Sequence, residues 1–356
     1  MPPAQATPDT ARAPKKAVFV TGANGYIGSA VCRAFVRAGW KVYGLVRRPE
    51  AGKALQAEEV TAVVGSISVD LAFLDELLEA RNTPVFDVVV SCTEQVPFDT
   101  HYGHLLELFE KIADCAHRAN VKPLVLMSSG CKDYGTTGVH GSPNLKPHTE
   151  ESPLDPPAVL KERTYCCLKV FDHPELFDAA VLRPTNVYGY DSSYYGVIFE
   201  AMKAGQGRTK VDVPGDFETI LHGCHVDDCT EAYVALAEHA TRSEVTGECF
   251  NISSHRYETL ADFARALSDE FGFPGGVGSL LEGQRSYPGL EMVLGFSQWV
   301  DSAKIRRLTG WTDRRMLFTE NLHAYRLAYE AAADRGDAGV ARIKGRVADA
   351  LAGGMD

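Results

Sequence analysis

A glycine-rich turn near the start of this 356-residue chain constrains its fold more than any other stretch. The apolar run over residues 18–20 ends in Thr21, and Gly22, Gly25 and Gly28 then follow at intervals of three. A helical apolar pattern begins at once, so a strand, a tight turn and a helix N-terminus are predicted in succession. The first glycine permits the sharp turn, the second lets phosphates approach the backbone, and the third lets the helix pack close to the strand.

This glycine turn, residues 22–28, is a candidate dinucleotide site, because the unpaired N–H groups and the dipole of a helix N-terminus favour a pyrophosphate. The cofactor-binding positions predicted there are Gly22, Asn24, Gly25, Tyr26, Ile27 and Gly28. Three spaced glycines also occur in ordinary strand-to-helix turns, so the interpretation depends on what lies downstream.

Two arginines follow the second predicted strand, which covers residues 41–46. An acidic residue at this point would hold the ribose 2′-hydroxyl of NAD, whereas Arg47 and Arg48 would bind a 2′-phosphate. The first acid after them is Glu50. The pattern favours NADP(H) over NAD(H), although both arginines could instead be solvated charges at a strand end.

Later predicted strands also end in small or polar residues. The strand over residues 86–91 is followed by Cys92, Thr93 and Gln95, and the next one ends in Ser128 and Ser129. In open α/β sheets, ligands lie at the carboxyl ends of the strands. These residues are therefore candidates for lining a site, although hydroxyl groups at such positions also serve simply to cap turns.

Tyr165 and Lys169 are four residues apart and lie on one face of a predicted helix. A phenol has an ordinary pKa near ~10, and a close ammonium favours its ionised form. Such a pair can give or take a proton at a substrate oxygen. The spacing is common in helices and gains weight only from the motifs before it.

These motifs together resemble the extended short-chain dehydrogenases/reductases, a group also called the NAD-dependent epimerase/dehydratase family. The segments that carry the resemblance are the glycine turn after Thr21, Ser129-Gly130 with Tyr134-Gly135, Tyr165 with Lys169, Leu182-Arg183-Pro184 with Val187-Tyr188-Gly189, and the closing stretch that ends in Gly310-Trp311. The similarity runs from about Val18 to Trp311. It implies an α/β fold, a Rossmann doubly wound parallel sheet with a smaller interleaved C-terminal substrate domain.

The resemblance also implies roles for individual residues. Ser129, with Ser128 as the fallback, Tyr165 and Lys169 would form the catalytic set, and Lys169 would also bind the nicotinamide ribose. Ser66 stands where the family often has an aspartate that contacts the adenine. The further cofactor-binding positions are Ser66, Ile67, Cys92, Thr93, Pro184, Asn186 and Val187, and the substrate-binding ones are Gln95, Ser129, Asn186, Tyr188 and Tyr194.

The predicted domain boundaries follow from the same motifs. Residues 1–14 are a disordered leader, and residues 15–187, joined by about 222–252, form the NADP-binding domain. Residues 188–221 and 253–335 form the substrate-binding domain, and residues 336–356 are a C-terminal tail.

Composition excludes several classes of function. The net charge is −11 and no basic stripe occurs, which argues against a nucleic-acid partner. No apolar run is long enough to span a membrane. Nine cysteines without Cys-x-x-Cys spacing indicate no metal site and a reducing, cytoplasmic location. A small-molecule substrate is expected, and the resemblance implies a homodimer.

The predicted function is an NADP(H)-dependent oxidoreductase that reduces a small aldehyde or ketone. It rests on the two arginines, and on the absence of the Arg-Pro-Gly-Asp run that the resemblance leads one to expect before the closing helix in enzymes that act on nucleotide sugars. The alternative is a nucleotide-sugar epimerase or dehydratase with tightly bound NAD(P). A non-catalytic, cofactor-sensing regulator is a third reading, which the presence of both Tyr165 and Lys169 disfavours.

Overall fold

The computed structural model describes residues 16–79, 84–192, 194–280 and 284–352, so the predicted leader lies outside the described residues. The strands are β1 Ala17–Thr21, β2 Lys41–Val46, β3 Thr61–Val64, β4 Phe86–Ser91, β5 Leu124–Ser128, β6 Asp178–Pro184, β7 Asn186–Tyr188, β8 Val211–Val213, β9 Ile220–Leu221, β10 Gly223–His225, β11 Glu248–Ile252, β12 Glu258–Thr259 and β13 Val277–Ser279.

The helices alternate with these strands through the first half of the chain. They are α1 Tyr26–Arg37, α2 Pro49–Ala57, α3 Ala72–Glu79, α4 Phe98–Arg118, α5 Lys161–Leu168, α6 Tyr195–Ala204, α7 Val226–Ala237, α8 Leu260–Phe271, α9 Glu291–Leu294, α10 Ala303–Thr309, α11 Leu322–Asp334 and α12 Ala338–Ala352. None of the described helices is long and apolar enough to cross a lipid bilayer.

Seven strands of the described chain form one sheet in the order β11-β6-β5-β4-β1-β2-β3, and every neighbouring pair is parallel. The order reverses direction at β1, because the chain first builds outward through β2 and β3 and then returns to add β4 on the other side. This arrangement confirms the predicted doubly wound Rossmann sheet.

The apolar residues of each strand alternate between the two faces of the sheet. Val18 and Val20 of β1 pack with α1 and α7 on one face, whereas Phe19 packs with α4 and α5 on the other. Both faces are covered by helices, which explains why the central strands are apolar along their whole length. Because these strands are parallel, the carboxyl ends of β1, β2, β4, β5 and β6 lie along one edge of the sheet.

A second apolar core lies after β7. It combines side chains of α6, α8, α9, α11 and α12, and its centre is an aromatic group around Phe318. Helix α7 and strand β11 belong instead to the sheet, so the chain alternates between the two cores. The region predicted as a C-terminal tail contains α12, whose Val340 and Val347 are buried in this second core.

Candidate functional site

The glycine turn has the tight backbone that its spacing predicts. Gly22 has a φ of +65°, and a Cβ atom there would lie 2.6 Å from the carbonyl oxygen of Cys92. A Cβ atom on Gly28 would lie 2.2 Å from the carbonyl oxygen of Gly22. Neither position can accept a side chain without moving the backbone, so the turn depends on glycine at both points.

The N-terminus of α1 is open. Gly25 is its N-cap and offers no side-chain acceptor, and the first turn carries no acidic residue. Within the described part of the chain, no acceptor is bonded to the backbone N–H groups of Ile27 or Gly28. The exposed Asn24 and the half-buried Tyr26, whose hydroxyl donates to Gly189 at 2.8 Å, flank this opening. Such a terminus fits a phosphate group.

The end of β2 presents two cations. Arg47 and Arg48 are exposed directly after the strand, and Arg48 is the N-cap of α2. Neither is in an ion pair with an acid anywhere in the described ranges. Beyond β3, the half-buried Ser66 hydroxyl lies 3.0 Å from that of Ser68, and Ile67 packs on the apolar face below. The predicted adenine contact of Ser66 stays a prediction.

The loop after β4 is joined to its neighbours by hydroxyl and thiol contacts. Thr93 Oγ1 lies 3.4 Å from Thr21 Oγ1 and 3.0 Å from His101 Nε2. The Cys92 thiol lies 3.4 Å from the Ser128 hydroxyl, which is itself 2.9 Å from the Tyr233 hydroxyl. The Ser128 side chain is thereby held inside the fold, whereas Gln95 is exposed.

The exit of β5 contains a buried ionic cluster. Ser129 donates its hydroxyl proton to Asp133 Oδ2 at 2.6 Å. The other oxygen of Asp133 accepts from Arg163 Nη2 at 2.6 Å and from Thr164 Oγ1 at 2.8 Å, and Arg183 Nε lies 3.3 Å from Oδ2. The Asp133 side chain is almost completely buried and is therefore stable as a charge only because two guanidinium groups compensate it.

This ionic cluster, which comprises Ser129, Asp133, Arg163, Thr164 and Arg183, extends in two directions. On the inner side, Arg183 donates to the Tyr134 hydroxyl at 2.8 Å, and Tyr134 donates to Asn251 Oδ1 at 2.8 Å. On the outer side, Arg163 Nη1 donates to Glu94 Oε1 at 3.3 Å. The cluster thus links the β5 exit to the loop after β4, at the edge where ligands lie in this kind of sheet.

The predicted catalytic residues Ser129, Tyr165 and Lys169 are not hydrogen-bonded to one another in the described part of the chain, and their catalytic role stays a prediction. Tyr165 is 46% exposed, and no hydrogen bond in the described chain joins it to Ser129 or to Lys169. Lys169 lies beyond the end of α5 and forms an ion pair with Asp99 of α4, which raises the pKa of its amine. The Ser129 hydroxyl is bonded to Asp133 instead.

The orientation of α5 explains these contacts. Its inward face carries Arg163, Thr164 and Cys167, and the Cys167 thiol reaches the Ser128 carbonyl oxygen at 3.6 Å. Tyr165 is exposed, and Lys169 lies in the following 3₁₀ helix Lys169–Asp172, so neither belongs to this inward face. Arg163 and Cys167 have the same spacing two residues earlier, and this repeat was the signal in the sequence that could have identified them.

The predicted residues after β6 divide into two groups. Pro184 and Val187 are buried, and the Pro184 carbonyl oxygen lies 3.7 Å from a Cβ atom built on Gly130, so this strand end adjoins the β5 exit. Asn186 is half-buried beside them and Tyr194 is exposed. Tyr188, predicted to contact substrate, is a fully buried residue of the second core whose hydroxyl donates to Met316 at 3.0 Å.

The described residues contain no group of three His, Cys, Asp or Glu side chains that could hold a metal ion.

Residues 18–253 match the family model described as the NAD-dependent epimerase/dehydratase family. The chain is 30% identical to UDP-glucose 4-epimerase 2 of Oryza sativa over 291 residues, which cover 72% of this chain and 70% of that protein. It is 25% identical to UDP-glucose 4-epimerase of Mycolicibacterium smegmatis, over 72% of this chain and 83% of that protein.

Solved structures with the same fold include two enzymes whose ligands are nucleotides. The dTDP-glucose 4,6-dehydratase of Bacillus anthracis in complex with NAD has a TM-score of 0.67 at 19% identity, over 90% of this chain and 98% of that chain. The UDP-glucose 4-epimerase of Thermotoga maritima with UDP-glucose has a TM-score of 0.66 at 18% identity, over 89% and 99%. At these identities the likeness establishes the shared fold.

Proposed function

Because this chain belongs to the NAD-dependent epimerase/dehydratase family, we propose that it binds a nicotinamide dinucleotide at the glycine turn and acts on the sugar of a nucleotide sugar. The observation that supports cofactor binding is the open N-terminus of α1, where the N–H groups of Ile27 and Gly28 have no acceptor among the described residues. These groups would hold the pyrophosphate. When bound, the nicotinamide accepts or supplies a hydride at a substrate carbon.

The substrate class is supported by the relatives. Two proteins named as UDP-glucose 4-epimerases each align over at least 70% of their own length. This reverses the preference for a small carbonyl substrate that the sequence alone suggested. In an epimerase or dehydratase the cofactor is oxidised and reduced within one turnover, so product forms without net cofactor consumption.

The residues of the ionic cluster would form a rigid, charged surface against which the substrate binds. The ionic cluster fixes the β5 exit through Asp133, so its positions change little when a substrate enters. Arg163 and Glu94 present the outermost charges of this network, on the side of the loop after β4. A polyhydroxylated sugar has the donors and acceptors that such a surface can orient.

A second candidate is the NADP(H)-dependent reduction of a small aldehyde or ketone. The observation that favours it is the pair Arg47 and Arg48, which are exposed at the end of β2 without an acid partner in the described ranges. Two guanidinium groups there suit a 2′-phosphate. An NADP(H) that exchanges between enzymes suits a reaction with net reduction of the substrate. A cofactor that stays bound and is recycled within one turnover suits an epimerase or dehydratase instead.

One experiment separates the two candidates. The purified protein is incubated with NADPH, NADH or the oxidised cofactors against two panels, nucleotide sugars and simple aldehydes or ketones. Product from a nucleotide sugar at constant nicotinamide absorbance supports the epimerase or dehydratase. Net NADPH oxidation with the carbonyl panel supports the reductase, and silence in both panels with measurable cofactor binding argues against either activity.

A further inference from the structure

The guanidinium group of Arg163 lies beside the ends of three neighbouring strands. A Cβ atom built on Gly130, just after β5, would lie 3.5 Å from Arg163 Nη2 and 3.7 Å from the Pro184 carbonyl oxygen at the end of β6. In the loop after β4, Glu94 Oε1 accepts from Arg163 Nη1 at 3.3 Å. Arg163 of α5 is thereby placed at the carboxyl edge of the sheet, where ligands lie in open α/β folds.

The loop after β4 also borders the glycine turn. The Cys92 carbonyl oxygen lies 2.6 Å from a Cβ atom built on Gly22, and the Thr93 hydroxyl lies 3.4 Å from that of Thr21. Glu94 is the next residue in the chain, so its contact with Arg163 follows directly on the segment that touches the turn. A ligand beside this guanidinium group would therefore be close to a dinucleotide bound at the turn.

Most of the N–H donors of Arg163 have no acceptor among the described residues. Nη2 donates to Asp133 Oδ1 at 2.6 Å, whereas the bond from Nη1 to Glu94 is long at 3.3 Å. Nε has no hydrogen-bond partner in the described chain, although the side chain is only 10% exposed. Buried donors ordinarily have acceptors, and a guanidinium group has five N–H donors. Arg163 is therefore suited to a further acceptor.

The buried charges of the ionic cluster do not balance. Arg163 and Arg183 share one buried carboxylate, that of Asp133, whose side chain is 1% exposed. Glu94 supplies a second negative charge, but its side chain is 52% exposed. Because exposed carboxylates contribute little to an ion pair, moving Glu94 into water costs little. The guanidinium group of Arg163 can then exchange Glu94 for an anionic ligand.

We propose that Arg163 binds a carboxylate of the substrate, which displaces Glu94 from Nη1. This inference rests on the proposed function and narrows its substrate class to nucleotide sugars whose sugar is a uronic acid. A carboxylate accepts two parallel N–H bonds from a guanidinium group, and such charge-assisted pairs are stronger than the bonds of a neutral hydroxymethyl group. The predicted roles of Ser129, Tyr165 and Lys169 are unchanged by it.

The first test measures binding without turnover. Isothermal titration calorimetry in the presence of saturating oxidised cofactor compares UDP-glucuronate with UDP-glucose, which differ only at the sixth carbon of the sugar. UDP-glucuronate should bind at least about 10-fold more tightly, because only its carboxylate forms a charge-assisted pair. Equal affinities, or tighter binding of UDP-glucose, would overturn the proposal.

The second test removes the competing carboxylate. Glu94→Gln should tighten the binding of UDP-glucuronate roughly 3- to 10-fold and change that of UDP-glucose by less than about twofold, since only the anionic ligand is repelled by Glu94. The matched control Glu107→Gln removes an exposed acid of α4 and should leave both affinities unchanged. Both residues are exposed, so neither variant should lose its fold. Unchanged or weaker binding of UDP-glucuronate to Glu94→Gln contradicts the proposal.

The third test changes the guanidinium group itself. Arg163→Lys keeps the positive charge but loses the planar pair of donors, so the preference for UDP-glucuronate should fall at least about fivefold while the cofactor binds as before. Urea denaturation shows whether this variant folds, and if it does not, the Glu94→Gln comparison decides. A folded Arg163→Lys protein that keeps the wild-type preference would exclude Arg163 as the carboxylate ligand.

Failure of the proposed function gives a different result. If the cofactor binds but neither UDP sugar does, the assignment to nucleotide sugars is wrong, and the carboxylate site is tested with free sugars. Saturation-transfer NMR then compares D-glucuronate with D-glucose in the wild type and in Glu94→Gln. Preferential binding of D-glucuronate that increases in Glu94→Gln supports the site at Arg163, and the absence of a preference in both proteins refutes it.

Discussion

The glycine turn and helix α5 each carry a spaced residue pattern, but only at the turn does the backbone geometry itself require the residues of the pattern. At the turn, glycine is required because backbone atoms approach within 2.6 Å of the place where a side chain would begin. Tyr165 of α5 is exposed and Lys169, just beyond the helix, is paired with Asp99, and no hydrogen bond in the described chain joins either to Ser129. A pattern that backbone sterics require can be predicted from the sequence. Helical spacing shows only that two side chains lie on the same side of a helix, and does not show which neighbouring element that side contacts.

The largest expected effect concerns the side of α5 that does face the sheet. Asp133→Asn removes the carboxylate that compensates Arg163 and Arg183 and leaves two buried guanidinium groups close together. We expect a loss of about 3–5 kcal/mol in the free energy of unfolding, measured by urea denaturation.

The matched control for that change is Asp75→Asn, which breaks an exposed ion pair with Lys111. Exposed pairs contribute at most about 1 kcal/mol, so this variant should differ little from wild type. Equal losses in the two variants would mean that the ionic cluster contributes no more than a surface pair. In that case the contacts of Arg163 and Thr164 with Asp133 would not be what stabilises the β5 exit.

The second prediction concerns the turn. Gly28→Ala forces a methyl group to within 2.2 Å of the Gly22 carbonyl oxygen and should cost about 1–3 kcal/mol of stability together with most of the cofactor affinity. Gly103→Ala, in α4, meets nothing within 4 Å and should stabilise the protein by roughly 0.5–1 kcal/mol. Thermal unfolding and fluorescence titration with NADPH measure both. A Gly28→Ala protein that binds NADPH with wild-type affinity would show that the turn does not require glycine at this position.

The features of the molecule that were predictable from the sequence are those that depend on local residue patterns. The parallel sheet was predictable because its strands are apolar runs that end in turn residues, and their order follows from the family resemblance. The ionic cluster was not, because Asp133, Arg163 and Arg183 are far apart in the chain and polar residues are ordinarily taken as surface. Their burial depends on mutual charge compensation, which only the fold brings about. Tyr188 was misassigned for the opposite reason, since an aromatic residue near a strand exit suits a core as well as a pocket.

The third prediction tests whether the two arginines after β2 make the cofactor site prefer NADPH over NADH. Arg47→Ala combined with Arg48→Ala should weaken NADPH binding roughly 10- to 100-fold, because charge-assisted hydrogen bonds contribute about 1.5–3 kcal/mol. Binding of NADH should change little, and Lys53→Ala on the exposed side of α2 should leave both affinities intact. Isothermal titration calorimetry at constant ionic strength measures the four constants. Equal weakening for NADPH and NADH would remove the 2′-phosphate role from these arginines.

The smallest expected effect is the one that distinguishes the two patterns most directly. Tyr165→Phe deletes a hydroxyl that makes no hydrogen bond within the described chain, on a side chain that is nearly half exposed. Stability should stay within about 0.5 kcal/mol of wild type, because surface substitutions of this kind seldom change it by more. If the phenol takes no part in the reaction, kcat should fall by less than about threefold. A drop of a hundredfold or more at unchanged cofactor affinity would show that the phenol reaches the substrate. In that case the exposed side of α5 borders the substrate site, and Tyr165 holds the acid–base role that its spacing with Lys169 predicts.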